Sequence, residues 1–233
     1  MFRFKQFSLR QDYAAMRITT DGVLLGAWAS CEGARTMLDI GAGTGLIALM
    51  LAQRCPGGIT ALEPDESSCK DLRYNVAHAP WTERIIVCCM SLQEFTEQTG
   101  ETDRFDMIVS NPPYFSDDKL PELPGDRTSR HALTLTHGEL IRLGASLLSQ
   151  EGRFSMILPA RYEAKIIALA SQHRLFCNRL LRVRPRTEKP VNRVLLEFGR
   201  EKSPLQTDHL TIHHGDGYTG EFTDLTKAYY PAF

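Results

Sequence analysis

Asp39-Ile40-Gly41-Ala42-Gly43-Thr44-Gly45 stands between a short apolar run, Thr36 to Ile40, and a stretch of helical spacing, Leu46 to Gln53. A strand that turns through glycines into a helix is the opening unit of a doubly wound α/β sheet. Glycine there lets the backbone come close to a ligand, and the first turn of the following helix offers unpaired N–H groups. A nicotinamide fingerprint has a third glycine, spaced G-x-G-x-x-G, where this chain has Leu46. The spacing here is G-x-G-x-G, so a dehydrogenase is disfavoured.

Working outward, strands and helices alternate as far as about residue 200. Gly58 to Glu63 reads as a second strand, and Pro64-Asp65 starts a helix that runs to His78. Arg84 to Cys89 and Phe105 to Ser110 read as strands three and four, the latter ended by Asn-Pro-Pro. Glu139 to Leu148 is helical, Arg153 to Leu158 is strand five, and Arg161 to Ser171 is helical again. Leu175 to Arg184 and Arg193 to Phe198 flank the turn-rich Pro185 to Pro190. The expectation is a seven-stranded, mostly parallel sheet that ends in an antiparallel hairpin. The polar, proline-bearing stretch from Tyr114 to Arg130 is too long for a routine connection and reads as a mobile substrate loop. The tail from Pro204 to Phe233 retains Leu210, Ile212, Phe222 and Tyr229 and is expected to pack as extra structure. The reading is thus a single domain, 1–233, with a covering segment 1–35, a catalytic core 36–200 and an extension 201–233.

The 233 residues are 42% hydrophobic and 24% charged, as in an ordinary globular chain, which excludes a disordered or fibrous protein. Nothing approaches a run of about 18 uncharged apolar residues, and the cationic, aromatic start MFRFKQFSLR lacks the apolar region of a signal peptide. The expected compartment is the cytoplasm, with no membrane association and no obligate protein partner. Six cysteines without C-x-x-C spacing suggest neither zinc nor a disulfide framework and read as reduced, buried thiols. The net charge of -1 conceals an asymmetry. Residues 1–17 carry four Lys/Arg against one acid, and residues 153–202 carry twelve against four. Two basic segments in a near-neutral chain suit a phosphate-binding face.

With an acid, Asp39, two residues before its first glycine, the G-x-G-x-G segment resembles motif I of the S-adenosylmethionine methyltransferases, Rossmann-like class I enzymes. The resemblance implies that Asp39 lies near the cofactor's ammonium end and that Gly41, Gly43 and Gly45 carry a backbone that approaches its amino-acid part. Glu63, at the end of the second strand, is placed to accept both ribose hydroxyls with one carboxylate. Asn111-Pro112-Pro113-Tyr114 follows strand four, at the carboxyl edge where ligands of open α/β sheets bind. Coupled to motif I, it resembles the [D/N/S]-P-P-[Y/F/W] motif IV of amino-methylating enzymes.

Those residue types suit that chemistry. An exocyclic amine of adenine is a poor nucleophile because its lone pair is delocalised into the ring. The Asn111 side-chain oxygen and the Pro112 carbonyl can each accept one of its N–H groups, favouring a pyramidal nitrogen aimed at a methyl donor. Tyr114 offers a face on which a purine stacks, worth about 1–3 kcal/mol per base. The proline pair stiffens the backbone that carries the acceptors.

The resemblance extends along nearly the whole chain. Phe4-Lys5-Gln6-Phe7, the stretch Met16 to Trp28, motif I, Asn111 to Tyr114, Arg130, Arg193 to Phe198 and Leu225 to Tyr230 resemble the bacterial enzymes that N6-methylate adenine-37 of a valine tRNA. It implies S-adenosylmethionine as cofactor, Thr20, Asp21 and Gly22 in a segment that covers it, Asn111 in contact with it, and the tRNA anticodon stem-loop as partner. A looped base can be splayed out without breaking a duplex. Where the family usually has an acid after strand three, this chain has Ser91, whose hydroxyl can still bond the cofactor's adenine amine, though less strongly. Arg182, Arg184, Arg186, Lys189 and Arg193, with Arg174 and Arg179 and the N-terminal Arg3, Lys5, Arg10 and Arg17, are expected to track tRNA phosphates. Arg130 joins Tyr114 as a substrate contact by resemblance. His131 and His137 read as surface or capping residues, and His213-His214 lacks a third metal ligand. Protein glutamine N5-methylation, rRNA guanine N2-methylation and an inactive RNA-binding module are the alternative functions.

Overall fold

The computed structural model describes residues 1–14, 16–100, 102–113 and 135–231. The expectations for Tyr114, Arg130, His131 and the 114–130 segment therefore lie outside the described residues. Along the chain come β1 (Phe2–Arg3), β2 (Ser8–Leu9), α1 (Thr20–Trp28), β3 (Thr36–Ile40), α2 (Leu46–Arg54), β4 (Gly58–Leu62), α3 (Glu66–Ala77), β5 (Ile85–Cys88), α4 (Leu92–Thr99) and β6 (Phe105–Ser110). They continue with α5 (His137–Leu147), β7 (Leu148–Pro159), α6 (Glu163–Gln172), β8 (Phe176–Arg186), β9 (Arg193–Gly199), β10 (Gln206–His214), β11 (Gly217–Tyr218) and α7 (Gly220–Thr226).

The main sheet has the order β11-β10-β8-β9-β7-β6-β3-β4-β5. From β7 to β5 every neighbouring pair is parallel. β9 lies antiparallel between β7 and β8, which is the expected terminal hairpin. The seven strands read from sequence are all present, and the tail corrects the count to nine. Its segment β10 pairs parallel with β8, and β11 folds back on it. Extra structure was expected there, but the alternating polar pattern of QTDHLTIHH gave little apolar signal for a strand.

β3 is central and buried from Met37 onward, as a strand covered on both faces must be. One apolar layer holds α1, α2, α3 and α7 with Phe4 and Phe7. The opposite layer holds α4, α5 and α6. α1 has little amphipathic period because six of its nine residues, Gly22 to Gly26 and Trp28, are buried, which leaves no polar stripe in the sequence. Gly26 permits its close packing: a Cβ there would stand 2.7 Å from Met50 Sδ on α2.

Four of the cysteines correct the expectation of free thiols. Cys31 is paired with Cys55 and Cys69 with Cys89, as disulfides with Cα separations of 6.3 and 6.0 Å. The first pair joins the chain just past α1 to the end of α2, and the second joins α3 to the chain just past β5. Partners on neighbouring elements, 24 and 20 residues apart, leave no local spacing motif. Cys88 and Cys177 remain free. No helix among the described residues is long and apolar enough to cross a membrane.

Candidate active site

β3, β4 and β6 end side by side, and their carboxyl ends carry the three sequence motifs. Register places Ile40 beside both Leu62 and Ser110. The buried Ser110 hydroxyl donates to the Ile40 carbonyl at 2.9 Å. The turn after β3 then loops back: the N–H groups of Gly41 and Ala42 donate to the Leu62 carbonyl at 2.9 and 2.8 Å. Gly41, Gly43 and Gly45 have φ of +73°, +56° and +86°, conformations that side chains rarely adopt, so the glycine spacing is dictated by the backbone path. A Cβ at Gly41 or Gly43 would meet nothing within 4 Å, whereas one at Gly45 would lie 2.7 Å from Leu72 Cδ1. The first two glycines face open space, and the third seats α2 against α3.

In front of this loop lies a cavity of about 430 Å³. Its walls include Gly22, Gly41, Gly43, Glu63, Asn111 and Pro113, with Met16, Arg17, Ile18 and Thr19 along one side. Glu63 is 7% exposed, and its Oε2 accepts the Gly43 N–H at 2.7 Å while Oε1 accepts that of Asp65 at 2.9 Å. Each carboxylate oxygen retains capacity to accept a further hydrogen bond, and the residue lines the cavity. Burial raises the Glu63 pKa above the usual carboxylate value, against these two hydrogen bonds, which lower it. Asp39 is fully buried behind the loop; its Oδ2 accepts the Ala48 N–H at 3.0 Å, and its Oδ1 has no hydrogen-bond partner among the described residues. Burial, aided by the nearby Glu63, pushes its pKa up to about 7. An unsatisfied buried carboxylate oxygen calls for a donor or a cation. Gly22 brings α1 onto the site: a Cβ there would lie 2.9 Å from Leu46 Cδ2 and 4.0 Å from Asn111 Nδ2.

The structure thus brings together Gly22, Gly41, Gly43, Glu63 and Asn111, with Asp39 and Gly45 behind the wall. Other expectations are redistributed. Thr19 lines the cavity in place of Thr20, and its hydroxyl caps α1. Asp21 is taken by Arg193, Nε to Oδ2, at 2.8 Å. Ser91 is the N-cap of α4; its hydroxyl donates to Glu94 at 2.8 Å and accepts the Glu94 N–H, a capping box readable as Ser-x-x-Glu. That local role accounts for a hydroxyl at this position.

The basic cluster divides in the same way. Arg182 pairs with Glu163 on α6, Nη2 to Oε1, at 2.5 Å. Arg179 lies over the Trp28 ring and pairs with the buried Glu197, Arg10 engages Asp12 and Asp71, and Lys5 donates to the Lys227 carbonyl. Arg186 donates to the Gly215 carbonyl in the β10–β11 turn, with Lys189 in the exposed β8–β9 turn. Arg182 and Arg184 are half-buried and alternate with buried Leu181 and Val183, so they share one face as expected. His137 is buried at the start of α5, capped by Thr136, rather than at the surface. His214 contacts Thr187, and no group of three potential metal ligands occurs among the described residues. Two further contributions carry no local sequence signal: Met16 to Ile18 as cavity wall, and Ser110 as the link between β6 and β3.

The residues present fit S-adenosylmethionine: open glycine backbone at Gly41 and Gly43 would receive its amino-acid part, the orphan Asp39 oxygen lies behind that loop, and the Glu63 carboxylate on the cavity wall would accept its ribose hydroxyls. The methyltransferase small domain family matches residues 22–169. The tRNA1(Val) (adenine(37)-N6)-methyltransferase of Trichodesmium erythraeum is 41% identical over 98% of this chain and 97% of its own length. That of Vibrio campbellii is 38% identical over 98% of this chain and 95% of its own. A predicted O-methyltransferase of Agrobacterium tumefaciens superposes with a TM-score of 0.71 at 20% identity, covering 90% of this chain and 96% of that one. A ribosomal protein L11 methylase of Lactobacillus delbrueckii superposes with a TM-score of 0.58 at 19% identity, covering 83% and 84%. Both superpositions speak to the fold alone. With S-adenosylmethionine as its cofactor, the chain belongs to the methyltransferase small domain family and, within it, to the tRNA1(Val) (adenine(37)-N6)-methyltransferases.

Proposed function

We propose that this protein transfers a methyl group to the exocyclic N6 of adenine 37 in a valine tRNA, reading the base within the anticodon stem-loop. The observation that carries the reading is the placement of Asn111 on the same cavity as the glycine loop and Glu63. Bound S-adenosylmethionine supplies an electrophilic methyl on a sulfonium centre. The Asn111 side-chain oxygen and the Pro112 carbonyl accept the two N–H groups of the target amine and turn its lone pair toward the methyl. As positive charge develops on nitrogen, these two fixed dipoles stabilise it in a site partly closed to water. No strong base is required, since the proton is acidic once the bond has formed and leaves to solvent. Glu63 holds the ribose end and braces the Gly43 backbone, so both ends of the donor are held by one carboxylate and the loop it supports. Tyr114 supplies the stacking face for the base, and Arg130 a further substrate contact. Arg184, Arg186 and Lys189, at the carboxyl end of β8 and the turn after it, contact tRNA phosphates.

The test is transfer of labelled methyl from S-adenosylmethionine to bulk tRNA lacking this modification, followed by nucleoside analysis. N6-methyladenosine at position 37 is expected. Label in a protein fraction, or in guanine of rRNA, would overturn the reading in favour of another amine acceptor.

A further inference from the structure

The segment that forms one side of the cofactor cavity, Met16 to Thr19, is not part of the sheet, and α1 holds only its far end. Its near end is tied to α3 by two side chains buried to 0% and 1% exposure, Asp71 and Asn75. Asp71 Oδ2 accepts the N–H groups of Tyr13 and Ala14 at 2.7 and 2.9 Å, and its Oδ1 faces Arg10 Nε at 3.3 Å. Asn75 binds both backbone groups of Arg10: its Oδ1 accepts the N–H at 2.7 Å, and its Nδ2 donates to the carbonyl at 2.8 Å. The same Nδ2 donates to the Thr44 carbonyl, inside the glycine loop, at 2.9 Å. The Arg10 guanidinium closes the joint between the rings of Tyr13 and Tyr74, at 4.8 and 4.9 Å. Farther along, Gln11 Oε1 accepts the Ile18 N–H at 3.0 Å and folds the segment back on itself.

We propose that Asp71 and Asn75 are positioning residues for cofactor binding, which anchor Arg10 to Ala14 on α3 so that Met16 to Thr19 are held as a strap along the cavity, in register with the glycine loop. This rests on the cavity being the S-adenosylmethionine site. Neither side chain lines the cavity, so each acts through the backbone it holds. Two buried polar side chains spent on an irregular segment, and one of them bonded also to the ligand loop, couple the wall on one side of the cofactor to the loop on the other. Loss of the strap leaves the sheet and Asn111 in place, so the defect falls on cofactor affinity and not on the methyl-transfer step.

The test compares Asn75→Ala, Asp71→Ala, Asp71→Asn and the half-buried Gln11→Ala with the parent. Readouts are equilibrium binding of S-adenosylhomocysteine, KM and kcat for S-adenosylmethionine, urea unfolding, and hydrogen exchange across residues 10–19. Asp71→Ala and Asn75→Ala are expected to weaken ligand binding and raise KM by about tenfold or more. Their kcat should stay within about threefold, with faster exchange confined to the strap. Asp71→Asn keeps an oxygen for Tyr13 and Ala14 and should recover most of the affinity. Gln11→Ala, on a partly exposed side chain that carries no core packing, should raise KM several-fold with unchanged unfolding. Parental binding and KM in Gln11→Ala and in whichever buried variants fold would overturn the proposal. So would losses that follow stability alone across the four variants. A parent that fails to bind S-adenosylhomocysteine would instead refute the assignment of the cavity, a distinguishable result.

Discussion

The Ser110 hydroxyl donates to the Ile40 carbonyl at 2.9 Å, joining the last residue of β6 to the last residue of β3. One residue further on, the first chain becomes Asn111 and the second becomes Gly41. Asn111, the proposed amine acceptor, and the cofactor loop are thereby set in a common frame by the β3–β6 pairing and this buried hydrogen bond at its end. Ser110→Ala should cost about 1 kcal/mol of stability, the ordinary value of such a bond. Steady-state kinetics should show a larger loss in kcat than in KM for either substrate, because donor and acceptor lose their mutual alignment. Equal effects on both constants would mean that the bond is only structural.

Glu63 binds Gly43 and Asp65 through backbone N–H groups and still faces the cavity. Glu63→Ala removes the proposed ribose acceptor and the brace of the loop together, and should weaken S-adenosylmethionine binding by at least 30-fold, about 2 kcal/mol. Glu63→Gln, which keeps one acceptor oxygen, should lie between. Equilibrium dialysis measures both, and tRNA binding by the same proteins should be unchanged.

Burial gives Asp39 a pH signature. Its carboxyl titrates near 4 in the unfolded chain, and the folded protein holds the proton up to about 7. Over that interval the native state binds more protons than the unfolded state, so this group lowers stability progressively as pH rises from about 4 to about 7, and no further above. Asp39→Asn should therefore gain stability relative to the parent with rising pH across this window, up to about 4 kcal/mol. Urea midpoints at pH 4.5, 6 and 8 test the sign, and a difference that shrinks with pH would contradict it. If Asp39 faces the cofactor's ammonium end through the loop, as proposed, the same variant should bind S-adenosylmethionine more weakly at pH 8, where the parent carboxyl is ionised.

The arginines of the terminal hairpin should separate by their partners. Arg186→Ala with Lys189→Ala should lower tRNA affinity and make the logarithmic salt dependence shallower by about 2. Arg182→Ala, which breaks the pair with Glu163, should act mainly on stability, leaving the slope nearly parental. Filter binding across a salt series distinguishes them. An unchanged slope in the double variant would place the phosphate contacts elsewhere.

What was legible in the sequence follows from how local each signal is. Motif I, Glu63 and Asn111 announce themselves because a strand end, a left-handed glycine turn and a rigid proline pair each leave a mark within a few residues. α1 left none, since its apolar residues from Gly22 to Trp28 run without a polar stripe, and β10 left little, since an outlying strand with exposed residues lacks an apolar run. The capping box of α4 was readable from Ser91 and Glu94. Ion pairs and disulfides that bridge distant segments, Asp21 with Arg193 and Cys69 with Cys89, have no local pattern at all. Charge counting therefore overstated the free basic surface.

The most direct measurement is single-turnover methyl transfer by Asn111→Ala to tRNA lacking the modification, paired with S-adenosylmethionine binding by the same protein. Loss of an amine acceptor at the reacting nitrogen predicts a rate lower by a factor on the order of 10² to 10³, with cofactor affinity within about threefold of the parent's. A rate close to the parent's, with the cofactor bound, would contradict the assignment of Asn111 as the residue that orients the target amine.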